Sequence, residues 1–278
     1  MGIEGRARSG TNPAGAPPSG ERLLEHSGRA LAQLYRGGPG HAVERGDGWW
    51  LVLSGSREAA HNWVVVADPA AARLIPELAA YVQLAGAPAM LAVTQAVMVA
   101  AGERLHRSAL DLASAAAHLG GRLVDLVLIP PATDATLAHA HDEAGLASAG
   151  AALASAFGFD GPTLAEAVTP AVLFGNPIRA TTATVGGQVV AAVMVWTAEA
   201  VTYVCFAGTV PASQRRGYGH AVLVDALLRE RARGARYVHL VASADGERLY
   251  RRLGIGEVGL GPWLLHAIPL GTTVRRRS

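Results

Sequence analysis

A glycine-rich loop in the second half of the chain has the residue types that bind an anion. It runs from Gln214 to His220, between a predicted strand and a predicted helix. The first turn of a helix leaves its N–H groups unpaired, and the helix dipole adds positive charge there. Gly217 and Gly219 allow close approach of an oxyanion, and Arg215 and Arg216 add charge at the rim. The loop therefore predicts a phosphate or pyrophosphate site, although two such glycines are also compatible with a simple sharp turn.

A second motif follows about thirty residues later. Ser243 precedes a predicted helix that contains Tyr250 and ends at Leu253-Gly254. A phenol with an ordinary pKa near 10 is a suitable proton donor to a thiolate when it lies in a partly dry cleft. The structural alternative is a tyrosine that packs on a sheet and keeps its hydroxyl in water.

Together the two motifs resemble those of the GNAT N-acetyltransferases. That family combines a Gln/Arg-x-x-Gly-x-Gly/Ala loop, here shortly after Val210-Pro211, with a Leu-Tyr-x-x-x-Gly ending, here at 249–254. The resemblance covers 181–268 well and 135–180 loosely. It implies acetyl-CoA as co-substrate, no metal, and direct transfer of the acetyl group to a primary amine of a small molecule or peptide.

The resemblance also implies residue roles. The strand before the loop would splay from its neighbour and pair with the pantetheine arm, the loop would bind the pyrophosphate, and Tyr250 would protonate the leaving thiolate. Ser243 stands where many members have asparagine, and Ile255 where an aromatic residue is usual. The implied coenzyme-binding residues are Phe206, Gly208, Thr209, Val210, Gln214, Arg215, Arg216, Gly217, Tyr218, Gly219, His220 and Ser243.

The acceptor and the general base stay open. Trp196, Tyr203 and Phe206 either line the acceptor pocket or pack in the core. Five carboxylates are available as the base, directly or through water: Asp142, Glu143, Asp160, Glu166 and Glu199.

A nearby group of histidines and carboxylates does not predict a metal site. His139, His141, Asp142 and Glu143 fall on a predicted helix, where positions i and i+2 point apart. A solvated helix face explains them.

Composition narrows the class of protein. Half of the 278 residues are apolar and the net charge is only +2, which fits a globular protein with a buried core. All 24 cationic side chains are arginine, typical of a GC-rich bacterial genome. The single Cys205 forms no intrachain disulfide, and with no secretory signal it predicts a cytoplasmic protein in which this cysteine is inert.

Two other classes of partner are disfavoured. Arginines cluster near the C-terminus, but without the interleaved aromatic residues of a nucleic-acid-binding surface. The uncharged stretch 78–102 is long enough to span a membrane, but Gln83, Gly86, Pro88 and Gln95 divide it into a helix end, a turn and a strand. The remaining alternative to an enzyme is an acyl-CoA-binding regulatory module without catalysis.

The predicted elements divide at Pro130-Pro131. Residues 1–20 are expected to be a disordered tail, 21–130 an N-terminal half and 131–278 a catalytic half. The predicted elements of the N-terminal half are helix 21–35, strands 49–53 and 63–67, helix 69–84, strand 89–93, helix 105–119 and strand 123–129. Those of the catalytic half are helices 135–157 and 164–168, strands 181–185, 189–195 and 201–210, helix 219–233, strand 237–241, helix 246–253 and strand 263–268.

The predicted fold class is α+β. A smaller α/β domain comes first, and a mixed, mostly antiparallel sheet flanked by helices follows. The first domain resembles a degenerate copy of the second. This interpretation is based on a shared order of strands, prolines and Leu-Gly pairs, which are Leu119-Gly120 and Leu253-Gly254. Generic βα alternation explains that echo equally well. The first copy has no glycine loop, so we expect one active site per chain and favour a monomer over a homodimer.

Overall fold

The computed structural model describes residues 17–36, 42–86, 88–103, 105, 110–115, 117–140, 142–159, 178–258 and 263–267. The α-helices are α1 (Gly20–Leu34), α2 (Ile75–Leu84), α3 (Gln95–Ala101), α4 (Glu143–Phe157), α5 (Tyr218–Ala232) and α6 (Ala244–Arg252). The strands are β1 (Ala42–Gly46), β2 (Trp49–Leu53), β3 (Trp63–Val66), β4 (Ala89–Val93), β5 (Leu110–Ala115), β6 (Ala117–Arg122), β7 (Thr136–Ala140), β8 (Ile178–Val185), β9 (Gln188–Ala198), β10 (Val201–Thr209), β11 (Tyr237–Ala242), β12 (Gly256–Glu257) and β13 (Trp263–Ala267).

The strands form two mixed sheets with helices on their faces, so the predicted α+β class is confirmed. The first sheet has the order β1-β2-β3-β4-β13-β5 and the second β12-β6-β11-β10-β9-β8-β7. Each contains one parallel pair, β3 with β4 and β10 with β11, among antiparallel neighbours. The two sheets therefore repeat one design, which agrees with the predicted internal copy.

The two halves exchange a strand. β6 precedes Pro130 in sequence but pairs with β11 in the second sheet, and β13, near the C-terminus, pairs with β4 and β5 in the first. The sheets therefore do not divide the chain at the predicted boundary. Each sheet is completed by a strand from the other side of Pro130-Pro131.

This exchange corrects two predicted elements. The predicted helix 105–119 is wrong where the structure describes it, because 110–115 and 117–119 lie in β5 and β6. Alanines at 113 and 115–117 favour a helix, but pairing with β13 and β11 overrides that preference. The predicted strand 123–129 is also wrong, since the chain turns at 123–125 as soon as the β6 ladder ends at Arg122. The predicted correspondence between Leu119-Gly120 and Leu253-Gly254 is wrong as well, because the first pair lies in a strand whereas the second follows a helix.

Other boundaries differ for local reasons. Residues 69–74 form a 3₁₀ helix and α2 begins only at Ile75, because Pro76 would clash with the helix turn before it. The predicted helix 135–157 starts with strand β7, and α4 begins after Asp142, whose carboxylate caps it at Gly145 N. The structure adds α3, and the predicted helix 164–168 lies outside the described residues.

Most of the remaining predictions are confirmed to within a few residues. β2 and β4 have the predicted bounds. The hairpin turn at Gly186-Gly187 has φ values of 56° and 81°, the positive values that glycine adopts without strain.

The apolar core has three parts that tie the halves together. One lies between the sheets and combines α1 and α4 with residues of β2, β3, β9 and β10. A second lies behind the second sheet, under α5 and α6, and a third behind the first sheet, under α2 and α3. The shared first core means that α1, from the N-terminal half, packs directly on the strands of the second sheet.

Candidate active site

The parallel pair of the second sheet opens into a gap. β10 and β11 pair at only three positions, and the last is Tyr203 with His239. β10 continues to Thr209 and β11 to Ala242. Beyond Tyr203 the edge of β10 that faces β11 is therefore unpaired among the described strands. We call this opening the gap.

The backbone groups that face the gap follow from the ladder on the other side of β10. Paired residues of an antiparallel ladder alternate between hydrogen-bonded and non-bonded positions. Val210 N donates to Val190 O (2.9 Å), so Gly208 and Phe206, two and four residues earlier, also direct their N–H and C=O groups to β9. The groups of Ala207 and Thr209 face the gap instead.

A bulge bends β10 at the start of the gap. The register with β9 shifts between Val204 and Phe206, which leaves Cys205 as the extra residue. Burial raises the pKa of the Cys205 thiol, so this cysteine stays protonated. The bulge directs Phe206 to the side of the sheet that α1 and α4 cover, which we call the acceptor face.

The glycine loop adopts a conformation that exposes N–H groups. Arg215 and Gly217 both have positive φ, 63° and 86°, and α5 begins immediately after them. No side chain caps the helix, and the first backbone bond of its first turn is Ala221 N to Gly217 O. In the described part of the chain the N–H groups of 217–220 have no acceptor. These N–H groups lie where the sequence predicts an anion site.

Close contacts hold this loop against the end of β10. A Cβ on Gly219 would lie 2.8 Å from Thr209 Oγ1, which only glycine avoids. Gln214 Nε2 donates to Thr209 O (3.3 Å). Tyr218 Oη donates to Asp134 Oδ1 (2.8 Å), and that bond raises the pKa of the phenol. The loop thus follows directly on the gap.

Tyr250 lies on α6, in the core behind the second sheet. It is 7% exposed, and burial raises the pKa of its phenol to about 12. Tyr203, the last residue of β10 that pairs with β11, belongs to the core on the opposite face of the same sheet.

Solved structures share this fold over most of the chain. A GCN5-related N-acetyltransferase from Kribbella flavida superposes with a TM-score of 0.67 at 19% identity, over 92% of this chain and 98% of that one. A tandem GNAT protein from the clavulanic acid biosynthesis pathway gives 0.56 at 16% identity, over 93% and 91%. A GCN5-related N-acetyltransferase from Sphaerobacter thermophilus gives 0.53 at 16% identity, over 81% and 80%.

The chain has the GNAT fold. No family model and no curated protein matches the sequence. The tandem relative agrees with two sheets of the same design in one chain.

Part of the sequence-predicted coenzyme set lies together in this GNAT fold. Thr209 and the loop 214–220 meet at the end of β10. Val210 lies at the same place, but its N–H bonds to Val190 O and its C=O accepts from Ser213 N (2.8 Å). Ser243 caps α6, with Oγ accepting from Gly246 N (3.2 Å). The resemblance implies backbone pairing around 206–210 as a whole, and the observed register adds that the groups of Ala207 and Thr209 are the ones that face the gap.

The first sheet of the GNAT fold has no such gap. All four residues of β3 pair with β4, from Trp63 with Met90 to Val66 with Val93. The helical turn that follows is capped by the Asp68 carboxylate, which accepts from Ala70 N (2.8 Å). A negative side chain therefore occupies the position in which an anion would bind.

The candidate bases are spread over several elements, with Glu143 as the first residue of α4. Asp142 caps α4, and Glu199 pairs with Arg29 in the turn before β10, at the far end of that strand from the loop. Asp160 and Glu166 lie outside the described residues, as does His141. His139 is on β7, and in the described ranges no group of three or more His, Cys, Asp or Glu residues could hold a metal ion. None of the described helices is long and apolar enough to cross a bilayer.

Proposed function

We propose that the protein is an acetyl-CoA-dependent N-acetyltransferase with one active site per chain. The observation that carries the proposal is the gap beyond Tyr203 and His239, which leads directly to the unpaired N–H groups of 217–220. An extended chain that ends in a pyrophosphate needs both features in this order. The GNAT fold, shared over nearly the full length with the relative from Kribbella flavida, supports this assignment.

The coenzyme contacts follow from the backbone. Ala207 and Thr209 would pair with the pantetheine amides through the groups that face the gap. The N–H groups of 217–220 would bind the pyrophosphate, and Arg215 and Arg216 would offset its charge. The backbone N–H and C=O groups of Phe206 and Gly208 point to β9, so these two residues would not hydrogen-bond to the coenzyme.

The proposed chemistry needs a positioned amine, a polarised carbonyl and a proton for the thiolate. Acetyl-CoA supplies the thioester, so the amine nitrogen replaces sulfur on the acetyl carbon. Tyr250 would donate its phenol proton to the departing sulfur, since burial keeps the group neutral at physiological pH. The proton lost by the amine would leave through solvent to buffer, and the protein would mainly hold the two substrates together.

Release of free thiol from acetyl-CoA, measured against a panel of amines, tests the proposal. Tyr250→Phe should lower kcat on the order of 100-fold, because it removes the hydroxyl that would donate the proton. The acetyl-CoA Kd should stay unchanged, because the aromatic ring remains. Tyr237→Phe on β11 is the matched control and should leave both constants unchanged. Full kcat in Tyr250→Phe would remove this residue from the mechanism, and coenzyme binding without turnover for any amine would favour the regulatory module.

A further inference from the structure

Buried polar atoms without partners concentrate around β10. Four such side-chain atoms occur in the described part of the chain: Tyr35 Oη, His61 Nε2, Trp196 Nε1 and His220 Nε2. His220 belongs to the glycine loop. The other three lie on the acceptor face or against it, and Tyr35 and His61 are fully buried. Unpaired buried polar groups are rare in folded proteins, and two of these, on Tyr35 and His61, belong to rings that lie 5.8 Å apart.

Tyr35 and His61 come from the N-terminal half and meet the second sheet beside the bulge. Tyr35 ends α1, with its ring centre 5.8 Å from that of His61. The His61 ring lies 6.2 Å from Phe206, and burial followed by repulsion from Cys205 and Tyr203 raises the pKa of Tyr35. His61 is therefore a neighbour of Phe206, the residue before Ala207, and Tyr35 is a neighbour of His61.

His61 is held in place by a network of hydrogen bonds. Its Nδ1 is 3.1 Å from Ser56 Oγ, which accepts from Glu58 N (3.0 Å). The buried Asn62 amide bonds to Ser54, Ser56 and Pro88 and fixes this loop. If the Ser56 hydroxyl donates to Nδ1, every group of the network is satisfied, and the His61 proton lies on Nε2. His61 thus offers an oriented N–H donor to a ligand.

Among the described residues, the rings that contact these donors are apolar and uncharged. The rings in contact with His61 are Tyr35, Phe159 and Phe206, and Phe157 stacks on Phe159 at 5.4 Å. No carboxylate or cation is among these contacts. Such a site suits a neutral oxygen next to an apolar group, and it disfavours a polycation, which needs carboxylates, or a carboxylate, which needs a cation.

We propose that Tyr35 and His61 bind the acceptor through a neutral oxygen beside its amine, and that the acceptor is an α-amino amide with an apolar side chain. The inference rests on the proposed acetyl transfer and specifies its acceptor. The amide oxygen of such a molecule accepts from both donors, its side chain lies among the phenylalanine rings, and its amine reaches the gap past Phe206. The N-terminal half then completes the active site of the second sheet.

The test compares three acceptors in the thiol-release assay with the full chain. Phenylalaninamide carries the oxygen, phenethylamine lacks it, and spermidine is a polycation. The wild type should show a kcat/KM for phenylalaninamide at least tenfold above that for phenethylamine, and no turnover of spermidine. A tripeptide with N-terminal phenylalanine distinguishes a peptidyl source of the amide from a small one.

Two variants test the residues themselves. Tyr35→Phe should remove most of the preference for phenylalaninamide without lowering the Tm, because the lost hydroxyl has no partner in the described fold. His61→Asn keeps an amide near Ser56 but deletes the Nε2 donor and should act in the same way, while His61→Gln should restore part of the preference. Tyr81→Phe, at an exposed tyrosine of α2, is the matched control.

The outcomes separate the two proposals. No turnover of any amine by the wild type overturns the proposed function. Turnover that is equal for phenylalaninamide and phenethylamine, or highest for spermidine, overturns this inference and leaves acetyl transfer standing. A lower Tm for Tyr35→Phe with an unchanged preference would show that the hydroxyl is only structural.

Discussion

Glu230 is the buried residue that links α5 to the strands of the second sheet. It is 1% exposed on α5 and accepts from Arg179 in two bonds (2.7 and 2.8 Å), from Arg233 (2.9 Å) and from Thr197 (2.7 Å). Although burial opposes ionisation, these partners together lower the pKa of the carboxyl. α5 therefore presents its N-terminus to the gap from a fixed position.

Removal of this carboxylate should be costly. Glu230→Ala leaves Arg179 and the Thr197 hydroxyl without their acceptor and should lower the free energy of unfolding by roughly 1–3 kcal/mol. Glu247→Ala removes an exposed ion pair with Arg251 and should cost less than about 1 kcal/mol. Urea titrations of the two variants give the comparison, and equal losses would contradict a special role for Glu230.

A chain of three buried histidines makes stability depend on pH. His26 Nδ1 lies 3.0 Å from His239 Nε2, and His118 Nε2 lies 3.1 Å from His239 Nδ1. His26 Nε2 is 3.3 Å from Ala198 O, and since a carbonyl only accepts, the His26 proton lies on Nε2. His239 Nε2 then donates to His26 Nδ1, and His118 Nε2 donates to His239 Nδ1. Burial lowers the pKa of His26 and of His118 to about 4, and that of His239 further.

The sign of the effect follows from these pKa values. Above pH 6.5 the histidines are neutral in both states, and stability is full. Below pH 6.5 these histidines bind protons in the unfolded chain, whereas in the folded protein they stay neutral down to about pH 4. The free energy of unfolding should therefore fall by on the order of 1 kcal/mol per histidine per pH unit. Urea titrations between pH 7.5 and 5.5 measure the slope. His118→Gln should reduce it, and a flat profile would rule out neutral burial.

At the scale of elements, the glycine loop makes a prediction that separates binding from folding. Gly217 and Gly187 both have positive φ and no atom within 4 Å of an added Cβ. Alanine at either position should cost about 1 kcal/mol of stability. Only Gly217→Ala places a methyl group at the proposed pyrophosphate site, so only this variant should raise the acetyl-CoA Kd, by calorimetry. A similar Kd in both variants would place the coenzyme elsewhere.

The unpaired edge of β10 can be tested in the same way. Ala207→Pro removes an N–H that faces the gap and that β9 does not use, so it should weaken acetyl-CoA binding about tenfold with a small change in Tm. Ala207→Gly keeps the N–H and is the control. An unchanged Kd in the proline variant would mean that the coenzyme does not pair with this strand.

Local patterns in the sequence predict most elements around the site. The alternation in β10, the glycine hairpin and the helix after Gly217 are encoded within a few residues. The alanine-rich stretch that becomes β5 and β6 is not, because its strand conformation depends on β13 and β11, which are distant in sequence. The same limit applies to the site, since the motifs identify the loop and Tyr250, whereas Ala207, Tyr35 and His61 depend on register and on packing between the halves.

At the scale of the whole molecule, the exchanged strands make the halves interdependent. β6 lies between β11 and β12 of the second sheet, and α1 covers its acceptor face. Each sheet lacks an internal strand without the other half.

Separation of the halves should therefore abolish folding. The fragment 131–278 lacks β6 and should show no cooperative thermal transition and no acetyl-CoA binding. Co-expression with 17–130 should restore both, because the missing strand and helix are supplied in trans. A fragment 131–278 that unfolds cooperatively and binds the coenzyme alone would contradict this view of the fold.

The stoichiometry of acetyl-CoA binding tests the central claim most directly. Calorimetric titration of the full chain should give one molecule per chain, because only the second sheet combines a gap with an uncapped helix N-terminus. A second molecule per chain, or no binding at all, would contradict the account.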